Sequence, residues 1–189
     1  MRKLKLQVQM TIDGFVAGSN GEMDWMWIGE MDKAIYGDVI ELADSCDLIL
    51  LGRNMTADFI KHWENVLDNH PESIEHPLAR RMVNIQKIVF SNSQSSIKGR
   101  NLETKSGDVA SVVRALKQQP GKDIMVYGGA TFAASLVSQD LVDEFYIFRK
   151  PVAIGKGLPI FNKQVVLKNE NSTVYTDGTI LTKYVPTKG

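Results

Sequence analysis

The chain has 189 residues, enough for one domain with a sizeable core, and its 22 basic and 22 acidic side chains balance. That balance argues against a nucleic-acid surface or a polybasic membrane patch. The single cysteine, Cys46, excludes an internal disulfide and reads as a small buried hydrophobe, while the sequence holds no apolar run near the roughly 18 residues of a membrane span and no signal-peptide core, so a cytoplasmic protein is expected.

Leu4, Leu6, Val8 and Met10 alternate with Lys5, Gln7 and Gln9, which predicts a first strand with one apolar face. Turns follow at Asp13-Gly14 and at Gly18-Ser19-Asn20-Gly21. Met31, Ile35, Val39 and Leu42 share one helical face. Residues 47–51 form a short continuous apolar run ending at Gly52, as a strand buried on both faces requires. A helix is predicted from Thr56 to about Val66, and another over 77–84 with Pro77 in its first turn. Residues 87–91 read as the next buried strand. Asp108 caps a helix whose apolar face is Val109, Val112, Val113 and Leu116, and Pro120-Gly121 stops it. The run Ile124-Met125-Val126-Tyr127 then meets Gly128-Gly129, and Ala130-Thr131-Phe132 opens a further helix. A strand begins over 145–148, a loop covers 151–159, and 165–167 with 179–185 predict a closing antiparallel hairpin. Strands alternating with helices, without repeats or linkers, predict a single α/β domain over 1–189 with parallel crossovers.

Three of the buried strands end alike: Leu51 leads to Gly52-Arg53-Asn54-Met55-Thr56, Phe90 to Ser91-Asn92-Ser93, and Tyr127 to Gly128-Gly129-Ala130-Thr131. In an open parallel sheet, ligands sit beyond the carboxyl ends of the strands. A helix that starts after glycines offers unpaired N–H groups and a partial positive charge to a phosphate. Arg53 can clamp a second phosphate. Together these turns suit a dinucleotide with a ribose 2′-phosphate. On the other side of the site, Asp13 is either turn chemistry or a polar residue at the mouth. Met23, Trp25, Met26 and Trp27 form either a lid over a flat heterocycle or a loop packed on the core or on a second subunit. His62, His70 and His76 lack metal-ligand spacing, so no metal is expected.

The motifs Met10-Thr11-Ile12-Asp13-Gly14, Leu50-Leu51-Gly52-Arg53 with Thr56, Lys87-Ile88-Val89-Phe90-Ser91, Tyr127-Gly128-Gly129-Ala130, Leu141-Val142-Asp143-Glu144 and Gly155-Lys156-Gly157-Leu158-Pro159 occur in an order that resembles the dihydrofolate reductase superfamily. The branch it most resembles is the C-terminal reductase domain of the bacterial riboflavin-biosynthesis deaminase–reductase. The resemblance implies a three-layer αβα fold with a mostly parallel central sheet and a C-terminal antiparallel hairpin. It implies NADPH as cofactor, with Arg53, Ser91 and Asn92 at the adenosine phosphate. Gly52, Thr56, Gly128, Gly129, Ala130 and Thr131 would then lie near the pyrophosphate. It implies a homodimer and a small heterocyclic substrate, pteridine-like or aminopyrimidine, on the side of Gln9, Trp25 and Trp27. Reduction of ribose to ribitol on an aminouracil, as in riboflavin synthesis, and a non-catalytic NADP(H)-binding module are the alternatives. Two departures stand out. The proline–tryptophan segment of true dihydrofolate reductases is absent, so that Glu30 or Asp32 would have to supply their substrate carboxylate alongside Asp13. The deaminase half of the riboflavin enzyme, with its His-x-Glu and Pro-Cys-x-x-Cys, is absent from this sequence.

Overall fold

The structure, a computed structural model, describes residues 1–91 and 97–187. β1 (Leu4–Thr11) is followed by a short β2 (Phe15–Ala17), a 3₁₀ turn (Asp24–Trp27) and α1 (Ala34–Asp44). Next come β3 (Cys46–Gly52), α2 (Arg53–Asn69), α3 (His76–Asn84), β4 (Gln86–Phe90) and β5 (Leu102–Lys105). The remaining elements are α4 (Val109–Gln118), β6 (Asp123–Gly128), α5 (Ala130–Ser138), β7 (Glu144–Lys150), β8 (Leu158–Pro159), β9 (Leu167–Val174) and β10 (Ile180–Pro186).

Eight strands form one sheet in the order β5-β4-β3-β6-β1-β7-β10-β9, and β2 pairs with β8 separately. The six strands from β5 to β7 are mutually parallel, and the β9–β10 hairpin adds antiparallel to β7. Two cores lie on opposite faces. α4 and α5 pack over Leu6, Leu50, Val126 and Phe145, whereas α1, α2 and α3 pack over Ile49, Leu51, Met125 and Phe148. This is the three-layer αβα fold with its closing hairpin.

Local chemistry accounts for where the elements depart from the sequence expectations. β1 is central, so its polar side is buried along with its apolar one: Lys5 ion-pairs with Asp123 at 2.9 Å and donates to the Ser45 hydroxyl at 2.8 Å. α2 starts at Arg53 rather than Thr56, capped by the extended Gly52, and runs three residues beyond Val66. β9 is much longer than expected because it is an edge strand whose side chains are mostly exposed and polar. β5 and the small β2–β8 ladder carry no apolar alternation. Cys46 is buried, and that burial pushes its thiol above the usual range, as for an inert packing residue. Among the described residues no helix is long and apolar enough to cross a membrane.

Candidate functional site

β3 and β6 are parallel neighbours whose following helices leave to opposite faces, α2 to one and α5 to the other. Such a divergence opens the carboxyl edge of a sheet to a ligand. Here the two helix starts meet. Gly52 caps α2 and Gly129 caps α5. A Cβ on Gly52 would lie 2.7 Å from Phe132 Cβ and 3.2 Å from the Gly129 nitrogen, so no side chain fits between the two turns. Gly128 and Gly129 are joined by a cis peptide bond. The left-handed conformation in this pair belongs to Gly128, at φ +130°, where a Cβ would also press on Met55 Sδ at 2.9 Å. Gly129 has an ordinary φ of −72°, and a Cβ there would meet Met55 Cγ at 3.8 Å, a normal contact.

The capping of these helices is informative. α4 is capped by its own Asp108, whose carboxylate accepts from Ser111 N at 2.8 Å. α1 receives Asp32 Oδ1 on Ala34 N at 2.8 Å. α2 and α5 have glycine caps and no side-chain acceptor. Among the described residues their first-turn N–H groups therefore have no side-chain acceptor, and the positive ends of two helix dipoles lie side by side.

The expected cofactor residues distribute unevenly around this point. Arg53 is exposed in the first turn of α2 and makes no ion pair among the described residues. Thr131 is exposed and Ala130 half-buried in the first turn of α5. Thr56 is fully buried, and its hydroxyl donates to Gly52 O at 2.9 Å, so its side chain braces the turn from inside. Ser91 is buried at the end of β4, with its N–H donated to Lys105 O at 3.0 Å. Asn92 and Ser93 lie outside the described residues.

On the substrate side, the two aspartates are tethers rather than proton donors. Asp13 Oδ2 accepts from Ile154 N at 3.0 Å and Gly155 N at 2.8 Å, and Thr11 together with these amides holds its carboxyl below the usual carboxylate range. Asp32 Oδ2 accepts from Thr176 Oγ1 at 2.6 Å and Thr176 N at 2.8 Å, and that hydroxyl with the backbone amides lowers its pKa as well. A carboxylate held ionised is a poor acid near neutral pH. Glu30 is exposed without a partner among the described residues. Gln9 is half-buried on the α1 side of β1. Trp25 is 3 % exposed and Trp27 63 %, so the two tryptophans do not form one stacking surface.

The sequence model of the RibD C-terminal domain matches residues 2–181. The chain belongs to this family. It is similar to the uncharacterized protein YyaP of Bacillus subtilis (strain 168), with 31% identity over 186 residues that cover 97% of this chain and 94% of that one. Its fold is similar to that of a putative riboflavin biosynthesis protein from Shewanella sp. PV-4, with TM-score 0.72 and 20% identity over 98% of this chain and 99% of that one. It also matches dihydrofolate reductase from Enterococcus faecalis, complexed with NADP(H) and RAB-propyl, with TM-score 0.59 and 13% identity over 98% and 97% of the two chains. The dihydrofolate reductase-like architecture follows from these likenesses.

Two residues of this RibD C-terminal domain escaped sequence reasoning. Met55 fills the space under Gly128 and Gly129; only its place inside the Gly-Arg-Asn-Met-Thr turn could have signalled it. Lys150, at the end of β7, is 5 % exposed and donates to Met26 O at 2.9 Å. The signal was a lysine directly after an apolar strand and before Pro151. Two surface depressions of about 510 and 550 Å³ lie elsewhere, around His62, His70 and Glu75 and around Cys46, Arg81 and Lys122. Neither includes a glycine turn, and helix dipoles and uncapped amides favour the carboxyl edge as the site.

Proposed function

We propose that this chain is an NADPH-dependent reductase of a small heterocycle, pteridine-like or aminopyrimidine. The observation that carries the reading is the meeting of two glycine-capped, otherwise uncapped helix starts at the carboxyl edge of β3 and β6. Membership of a reductase family and a fold shared with an NADP(H)-complexed protein support it. The residues present fit the cofactor: the first turns of α2 and α5 would seat its pyrophosphate, and Arg53, without an ion pair among the described residues, would take the 2′-phosphate. When bound, the nicotinamide would supply the hydride for an electrophilic C=N or C=O carbon.

The chain's own part is alignment and electrostatics. Gly52 keeps the two helix starts in contact, and Thr56 fixes the α2 turn from within. Asp13 ties the β1–β2 turn to the loop that follows β7. Asp32 ties the start of α1 to the β9–β10 turn. Because both carboxylates are held ionised, the proton that accompanies hydride transfer comes from water or another group.

Calorimetric titration with NADPH and NADH, followed by NADPH oxidation with a panel of pterins and aminopyrimidines, tests the proposal. Tight NADPH binding with turnover of one panel member is expected. NADPH binding without turnover of any member would support the non-catalytic module, and no binding of either nucleotide would refute both readings.

A further inference from the structure

We propose that Lys150 is a positioning residue on the substrate side, whose ammonium meets a negatively polarised oxygen of the bound molecule, either a ring lactam or a phosphate. The inference rests on the reductase reading given above. Lys150 ends β7 and pairs in register with Thr11, the last residue of β1, so its backbone stands on the same carboxyl edge as the glycine turns. Its parity is that of Phe148, which packs in the core beneath α1, α2 and α3. The side chain therefore lies on the face where Gln9 and the 24–27 turn border the edge.

Burial makes this lysine unusual. It is 5 % exposed, yet the one hydrogen bond of its ammonium among the described residues is to Met26 O at 2.9 Å, and no carboxylate there lies within ion-pair distance. An ammonium carries three donors, and a buried cation is costly unless it is paired and hydrogen-bonded. The other buried lysines satisfy that rule. Lys87 gives its donors to three carbonyls, and Lys5 and Lys117 each face an aspartate. An unsatisfied donor sits one residue from Met26: the indole Nε1 of Trp25 is buried with no acceptor among the described residues. The ammonium is thus tied to the 24–27 turn by one donor and keeps two for an acceptor from outside the chain. A ligand oxygen supplies it, and through Met26 the same lysine couples ligand binding to the placement of the Trp25 turn.

The test uses the NADPH-saturated chain and two probes, 5,6-diaminouracil for the lactam source and ribose 5-phosphate for the phosphate source, titrated calorimetrically. Lys150→Met should weaken the responding probe about ten-fold or more, as loss of a charge-assisted hydrogen bond requires, and leave NADPH affinity unchanged. Lys150→Gln removes the charge and keeps an N–H donor on a side chain one atom shorter. It should lose the probe as well, and it carries the comparison if the methionine variant does not fold. A response to diaminouracil alone assigns the oxygen to the ring, and one to ribose 5-phosphate alone assigns it to a phosphate. Lys150→Gln binding the probe as tightly as the native chain reduces the residue to a tether and overturns the proposal, as does a native, NADPH-bound chain that takes neither probe. Failure of the native chain to bind NADPH at all would instead overturn the reductase reading.

Discussion

Alanine at the two adjacent glycines separates folding from binding, because the structure assigns them opposite requirements. At Gly128 the backbone lies at φ +130° and a new Cβ would press on Met55 Sδ at 2.9 Å. Left-handed strain of this kind costs on the order of 1–3 kcal/mol, and overpacking against Met55 adds to it. At Gly129 φ is −72° and the Cβ would rest 3.8 and 3.9 Å from Met55. That methyl is tolerated by the fold, and the loss of unfolded-state freedom should leave stability unchanged or raised by roughly 0.4–1 kcal/mol. It would, however, stand at the start of α5 next to Met55 of α2, where the proposed pyrophosphate would have to reach the amides. Losing one charge-assisted hydrogen bond there is worth about 1.5–3 kcal/mol, or roughly 10- to 150-fold in NADPH affinity. Gly128→Ala should therefore lower the Tm, while Gly129→Ala keeps the native Tm in the absence of ligand and binds NADPH much more weakly. The readouts are thermal unfolding without nucleotide and calorimetric titration of NADPH. A Gly129→Ala chain that binds NADPH with native affinity would refute the seat.

Arg53→Ala should weaken NADPH by about ten-fold or more and leave NADH nearly unchanged, since only the former carries a 2′-phosphate; equal losses would show that Arg53 reads something common to both. Lys87→Met should destabilise the chain to urea by about 1–3 kcal/mol or more, because it strips the donor from the Met82, Val83 and Ile85 carbonyls at the end of α3. Burial lowers the Lys87 pKa from 10.5 to about 8, so between these values the unfolded chain binds more protons and native stability should rise with pH, a slope that Lys87→Met abolishes. A homodimer is expected in solution, with the exposed edge strand β9 as its natural contact; light scattering near the monomer mass of 21.1 kDa would count against it.

The parts of the fold legible in the sequence are those where burial and backbone geometry act on the same residues. Leu48 to Leu51 is apolar because β3 is covered on both faces, and it ends in glycine because α2 and α5 leave no room for a side chain there. The Gly-Gly turn was legible for the same reason, although the left-handed residue is Gly128 and not the Gly129 that a glycine pair leaves equally eligible. β5 and β9 were obscure because an edge strand is held by backbone pairing, which leaves its side chains free to be polar. β1 misled in the opposite direction. Its Lys5 and Gln7 read as solvent-facing, yet a central strand buries both sides, and Lys5 is accommodated by Asp123, far away in sequence.

The substrate side was less legible because a carboxylate in a loop carries the same sequence signature whether it donates a proton or accepts from backbone amides. Asp13 and Asp32 both accept, and the partners that tie them to other loops, at 154–155 and 176, lie more than a hundred residues away. Lowered pKa values make these carboxylates better tethers, since the ionised form accepts the amides most strongly. The same ionisation removes them as proton sources. What they do is bring together three loops around one edge: the β1–β2 turn, the segment after β7, and the β9–β10 turn against α1. Lys150 ends β7 on the same edge, and its ammonium makes no ion pair among the described residues. If the proposed acceptor for that cation comes from a ligand, substrate recognition would depend on a positive group held within a frame of ionised carboxylates.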